Sequence, residues 1–143
     1  MDALFRVGHC FVMERFVERS AGNRPLLSVV DDDESVRESL PDLLREFGFA
    51  ARAFSSAEEF LASDCVDGTM CLILDVAMPG MSGIDLYQEL TRRRQKIPIV
   101  FVTALRDEAM RAQVLQQGAA GFLLKPFSDT DLLAAVKLAL HAD

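Results

Sequence analysis

The chain has 143 residues, which is enough for one domain and too few for a large multidomain enzyme. Half of the residues are hydrophobic and 26% are charged, a balance that indicates a compact domain with a buried core rather than a disordered chain. With 15 Lys and Arg against 22 Asp and Glu, the net charge of -7 has the wrong sign for a surface that binds nucleic acid directly.

Residues 1–24 differ from the rest and are predicted to be an N-terminal extension. Phe5, Val12 and Phe16 fit one face of a short amphipathic helix, but a disordered tail, a misassigned start or a cloning remnant explains the segment equally well. Charged residues interrupt any signal-peptide core, and no apolar run reaches about 18 residues. Three widely spaced cysteines form neither a disulfide framework nor a metal motif. We therefore expect a cytoplasmic protein without membrane contact.

From Leu26 onward, short apolar runs alternate with longer amphipathic ones. Strands are predicted at 26–30, 71–74, 97–102 and 121–124, with 50–54 as a weaker fifth candidate. Helices are predicted at 34–47, 56–62, 84–94, 107–117 and 129–141. Five strand–helix units predict that residues 25–143 form one α/β domain, a doubly wound, five-stranded parallel sheet in a three-layer (βα)5 sandwich.

Local signals support these boundaries and contain one conflict. Ser55 and Glu58 have the spacing of a capping box, and Gly48 and Gly118 stand where a helix C-terminus favours a left-handed residue. Pro41 lies inside the first predicted helix, where it is expected to kink the helix or remove a backbone hydrogen bond.

Polar side chains follow four of the predicted strands. They are Asp31, Asp32 and Asp33 after the first strand, Asp75 after the third, Thr103 after the fourth and Lys125 after the fifth. The carboxyl ends of parallel strands share one edge of the sheet, where sites gather in doubly wound folds. No glycine-rich dinucleotide or P-loop motif occurs. Converging carboxylates suit Mg²⁺, and a nearby amine and hydroxyl suit a phosphoryl group.

Each residue also has a simpler interpretation. The aspartates after the first strand would cap a helix, Asp75 would form a turn, Lys125 would be a solvated charge and Thr103 an ordinary strand residue. Their joint placement at one sheet edge favours a site.

Four ordered motifs give the chain a family resemblance. The motifs are Val29-Val30-Asp31-Asp32-Asp33, Leu74-Asp75-Val76-Ala77-Met78-Pro79-Gly80-Met81-Ser82-Gly83, Val102-Thr103-Ala104 and Leu124-Lys125-Pro126-Phe127. With these motifs, about residues 25–142 resemble a response-regulator receiver domain of two-component systems. This family has a CheY-like, flavodoxin-like fold. The segment after Lys125 is most similar to FixJ-type and NarL-type receivers.

The resemblance implies a role for each site residue. Asp75 would accept a phosphoryl group from a sensor histidine kinase, and Mg²⁺ would be bound by Asp31, Asp32, Asp75 and the backbone carbonyl of Ala77. Lys125 would contact the phosphoryl oxygens, and Pro126 would follow a cis peptide bond. Thr103 and Phe122 would change conformation on phosphorylation and act as the switch. Asp33 is left to helix capping.

The resemblance also implies an output surface formed by the fourth helix, fifth strand and fifth helix, used for a phosphorylation-dependent homodimer or another partner. Ala77 and Leu105 are expected to alter the lifetime of the phosphate. Such a domain catalyses only its own phosphoryl transfer and dephosphorylation. The alternatives are a Mg²⁺-dependent phosphatase with an aspartate nucleophile and a pseudo-receiver that only mediates contacts.

Overall fold

The computed structural model describes residues 24–141. The predicted extension therefore lies outside the described residues, apart from Arg24. Strands and helices alternate along the described part, and their bounds are β1 Leu26–Val30, α1 Glu34–Glu46, β2 Ala50–Phe54, α2 Ala57–Ala62, β3 Thr69–Asp75, α3 Gly83–Arg92, β4 Ile99–Thr103, α4 Glu108–Gln116, β5 Gly121–Leu124 and α5 Asp129–Leu140.

All five strands lie in one parallel sheet with the order β2-β1-β3-β4-β5. The chain moves from β1 outward to β2, returns to β3 on the other side of β1, and then continues to β4 and β5. The order reverses between β1 and β3, which is the switch point at which doubly wound folds place their sites. The predicted fold class is confirmed.

The sheet separates two layers of apolar side chains because successive residues of a strand point to opposite faces. In β3, Leu72 and Leu74 join one cluster with α2, α3 and α4, whereas Cys71 and Ile73 join the other with α1 and α5. Both clusters exclude solvent, which explains why the central strands are continuous apolar runs rather than alternating ones.

Three predicted boundaries differ from the structure by two residues. β3 begins at Thr69 rather than residue 71. β4 begins at Ile99 rather than residue 97, because Pro98 has no N–H for the sheet. α3 ends at Arg92, and Arg94 adopts a left-handed φ of 62° that no helix accommodates. Pro41 does not break α1, which continues from Glu34 to Glu46 although the proline has no N–H to donate; its ring is buried, as are Leu40 and Leu44.

The predicted capping box of α2 is wrong by one residue. The N-cap is Ser56, whose side chain accepts the Glu59 N–H, and the Glu59 carboxylate accepts the Ser55 N–H. Glu58 is thereby left for another contact. Gly48 and Gly118 have the expected positive φ angles after α1 and α4. No helix within residues 24–141 is long and apolar enough to cross a membrane.

Candidate functional site

Three carboxylates meet at the carboxyl edge of β1 and β3. Asp31 and Asp32 follow β1, Asp75 ends β3, and one oxygen of each lies within 4.8 Å of the others. Asp31 is fully buried and Asp75 is 5% exposed, whereas Asp32 faces solvent. The cluster thus has a buried floor and one open side.

Backbone contacts fix the turn between β1 and α1. The N–H of Asp31 donates to the Phe54 carbonyl at 3.1 Å, which extends the pairing with β2 by one residue. Asp33 caps α1 by accepting the Ser35 N–H, as expected, and its own N–H donates to Asp31 Oδ1 at 3.0 Å. The cap of α1 therefore also orients the Asp31 carboxylate.

Lys125 supplies a cation to the carboxylates from the end of β5. Its Nζ lies 2.8 Å from Asp31 Oδ2 and 3.7 Å from Asp75 Oδ2. Its backbone N–H donates to the Thr103 carbonyl at 2.8 Å, which fixes the chain direction after the strand. The peptide bond from Lys125 to Pro126 is cis. The ammonium thus lies between the two buried acids.

Burial and charge give the site unusual protonation equilibria. Burial, together with the charge of Asp31, raises the pKa of Asp75 to about 7, although Lys125 and the Ala77 N–H act in the opposite direction. Burial lowers the pKa of Lys125, but its hydrogen bond to Asp31 and the charges of Asp31 and Asp75 raise it more, so the net shift is upward. Two carboxylates packed this closely would be stabilised by additional positive charge.

The residues present fit a divalent metal of the Mg²⁺ type. Hard carboxylate oxygens are the ligands that Mg²⁺ selects, and an open side leaves room for water. The buried Asp31 Oδ2 contacts the Lys125 ammonium at 2.8 Å, and a carboxylate oxygen has a second lone pair, so it retains capacity for a further ligand. The raised pKa of Asp75 likewise indicates a carboxylate that lacks compensation.

The other predicted site residues lie around this cluster. Thr103 is fully buried at the end of β4, and its Oγ1 accepts the Leu105 N–H at 3.0 Å. Ala77 is exposed two residues after Asp75. Phe122 is half-buried in β5, with the Arg111 guanidinium 5.9 Å from its ring centre.

Sequence reasoning missed three side chains near the site. Arg37 of α1 donates to the Asp31 carbonyl at 3.1 Å, Arg111 of α4 covers Phe122, and Glu58 of α2 contacts the loop after β3. The spacing of Arg37 in α1 places it on the face of the helix nearest Asp31, so the sequence contained a weak indication of this contact. The other two contacts join separate secondary-structure elements, and no sequence pattern indicated them.

Comparisons with known proteins identify the family. The family model described as response regulator receiver domain matches residues 27–137. Nodulation protein W of Bradyrhizobium diazoefficiens is 45% identical over 123 residues, 86% of this chain and 54% of that protein. A structure of the response regulator StyR is 46% identical with a TM-score of 0.76, covering 82% of this chain and 59% of that one.

A crystal structure of FixJ-N is 36% identical with a TM-score of 0.73, covering 82% of this chain and 95% of that one. The chain spans about half the length of the curated relatives it matches, such as 54% for nodulation protein W. The family match includes Asp31, Asp32, Asp75 and Lys125. The chain belongs to the response-regulator receiver domain family.

Proposed function

We propose that Asp75 accepts a phosphoryl group from the phosphohistidine of a sensor kinase in the cytoplasm. The Asp75 carboxylate oxygen attacks phosphorus, the bond from phosphorus to the imidazole nitrogen breaks, and that nitrogen keeps the electron pair. The product is an aspartyl phosphate. Family membership supports phosphorylation-dependent signalling. The observation that carries the assignment to Asp75 is that its buried carboxylate lies 3.7 Å from the Lys125 ammonium, whereas Asp31 already holds this ammonium at 2.8 Å and accepts the Asp33 N–H.

Lys125 stabilises the charge on the transferring group. Its ammonium already lies between Asp31 and Asp75, so a short movement takes it to the oxygens of a phosphoryl group on Asp75. Thr103, buried at the neighbouring strand end, supplies a hydroxyl for the same oxygens. To do so it exchanges the hydrogen bond that it now accepts from Leu105 for a new contact.

Four groups would hold Mg²⁺: the carboxylates of Asp31, Asp32 and Asp75 and the backbone carbonyl of Ala77. Asp31 would act through a water molecule. The ion supplies positive charge against the developing negative charge of the phosphoryl group. Asp32, the exposed member, lies on the side from which an ion enters. The close spacing of the three carboxylates supports this assignment.

The signal leaves through a surface formed by α4, β5 and α5. As Thr103 turns toward the phosphoryl group, Phe122 turns inward to fill the space that it leaves. The changed surface then forms a homodimer or contacts another protein, and DNA is not bound by this domain. Ala77 and Leu105 flank the phosphoryl group and set how readily water attacks it.

The test is acceptance of a phosphoryl group from acetyl phosphate with Mg²⁺, followed by intact-mass spectrometry. Wild type should gain the mass of one phosphoryl group, and Asp75→Asn should gain none. Asp33→Asn is the matched control, because this neighbouring acid caps α1 and asparagine caps equally well. It should be phosphorylated like wild type.

Three results would contradict the proposal. They are an unmodified wild type, modification that persists in Asp75→Asn, and loss of modification in Asp33→Asn. Turnover of many equivalents of a general phosphomonoester would instead indicate a phosphatase. Size-exclusion chromatography with and without beryllofluoride tests the dimer, which should appear only with the phosphoryl mimic.

A further inference from the structure

The loop after β3 is fixed at its base. This loop, residues 76–82, joins Asp75 to α3 and contains Ala77. The Gly83 N–H donates to the Val76 carbonyl at 2.9 Å. A Cβ on Gly83 would lie 2.2 Å from the Asp75 carbonyl oxygen, so the start of α3 is in direct contact with the Asp75 backbone. The base of the loop cannot shift without moving Asp75.

The far side of the loop is held by α2. The Met81 N–H donates to Glu58 Oε2 at 3.1 Å, across 23 residues of sequence. The same oxygen would lie 3.0 Å from a Cβ on Gly80, whose φ of +74° is in the left-handed region. Glu58 thus lies against the backbone where the loop turns back toward α3. Glu59, its neighbour, is engaged separately with Ser55.

We propose that Glu58 is a positioning residue for the metal site. Its carboxylate holds the turn of the loop at Gly80 and Met81, and thereby restricts the positions that the Ala77 carbonyl can take relative to the acidic cluster. The inference rests on the proposed function for Ala77 as a ligand. Between the two anchor points the loop is short, and Met78 is buried in the core, so few conformations remain for Ala77 while Glu58 is bound.

To anchor the loop, the side chain at position 58 needs only an oxygen that accepts the Met81 N–H. Glu58 is exposed, so its negative charge acts on the metal through high-dielectric solvent and contributes little. A glutamine at this position keeps an acceptor oxygen at the same reach, whereas an alanine removes it. The two substitutions therefore separate loop anchoring from charge.

The experiment compares Glu58→Ala and Glu58→Gln with wild type, and uses Glu59→Ala as the matched control in the same helical turn. Isothermal titration with Mg²⁺ should show binding about tenfold weaker in Glu58→Ala, in line with the loss of residues that orient metal ligands. Glu58→Gln and Glu59→Ala should bind within about twofold of wild type. Amide exchange at Met81, measured by NMR without Mg²⁺, should accelerate in Glu58→Ala only.

Each result decides the inference. Wild-type Mg²⁺ affinity in Glu58→Ala, equal losses in both Glu58 variants, or an equal loss in Glu59→Ala would each overturn it. Unchanged Met81 exchange in Glu58→Ala would overturn the anchoring step itself. If wild type binds no Mg²⁺, the metal part of the proposed function fails as well, which distinguishes that failure from failure of the Glu58 role alone.

Discussion

Replacing Asp75 with asparagine should stabilise the metal-free protein at neutral pH. Asp75 is nearly inaccessible to solvent and lies beside Asp31, and its pKa is raised from 3.8 to about 7. At pH values between 3.8 and about 7, Asp75 therefore keeps its proton in the folded state and has lost it in the unfolded state. Stability falls as the pH rises from about 4 to about 7, and the full cost of the ionised carboxylate is present above that range.

The size of the effect follows from two opposing quantities. A pKa shift from 3.8 to about 7 corresponds to about 4 kcal/mol of cost for the ionised form. Asparagine removes that cost but buries an amide whose hydrogen bonds are incompletely satisfied, at about 2 kcal/mol. The net gain for Asp75→Asn is about 2 kcal/mol, which raises the melting temperature by about 8 °C in a domain of this size.

Urea denaturation followed by far-UV circular dichroism measures this gain, since the chain has no Trp for a fluorescence signal. The measurement is made in EDTA at pH about 8 and repeated at pH about 4. At the lower pH the folded wild type is protonated at Asp75 and little of the ionisation cost remains, whereas the buried amide of the variant still costs free energy, so Asp75→Asn should be less stable than wild type by about 1 kcal/mol. Mg²⁺ provides the control, because it should stabilise wild type more than Asp75→Asn. A variant less stable than wild type at pH about 8, or a gain independent of pH, would refute the reasoning.

Three further predictions test the site and the fold. Lys125→Met should slow phosphorylation by acetyl phosphate at least about a hundredfold, the loss typical of one removed charge-stabilising donor; normal phosphorylation kinetics would contradict this expectation. In EDTA the same substitution should cost about 3 kcal/mol of stability because Asp31 becomes an uncompensated buried charge. Phe60→Ala should cost about 4 kcal/mol in urea denaturation, since this side chain is fully buried, whereas Leu138→Ala, at a side chain 71% exposed, should cost less than about 0.5 kcal/mol. Asp33→Ala should cost about 1 kcal/mol by loss of the α1 N-cap, and an unchanged urea midpoint would show that the cap is dispensable.

The layout of the fold follows from sequence because apolar runs and parallel topology are local and repetitive signals. Buried strands such as β3 read as continuous apolar runs, and the residue after each run falls at one edge of the sheet. The placement of Asp31, Asp75 and Lys125 together required no information about side-chain contacts. This is why the candidate site was predicted along with the fold.

Details that depend on competing local partners were not predictable in the same way. The segment Ser55-Ser56-Ala57-Glu58-Glu59 contains two serine–glutamate pairs with identical spacing, and only the packing of α2 selects the second pair. The contact between Glu58 and Met81 spans segments with no shared periodicity. The start of β4 shows the intermediate case, where Pro98 carries the signal but apolarity alone placed the boundary too early.

The position of β5 has a consequence for how the protein begins to unfold and lose its site. β5 is one of the two edge strands of the described sheet. It pairs with β4 alone, and each of its four residues is half-buried. Fraying begins where burial is least, so this strand is expected to open before the centre of the sheet. Because Lys125 follows β5 directly, a partly opened molecule keeps its carboxylates but loses their cation. Mild heating should therefore inactivate the site while most of the secondary structure persists.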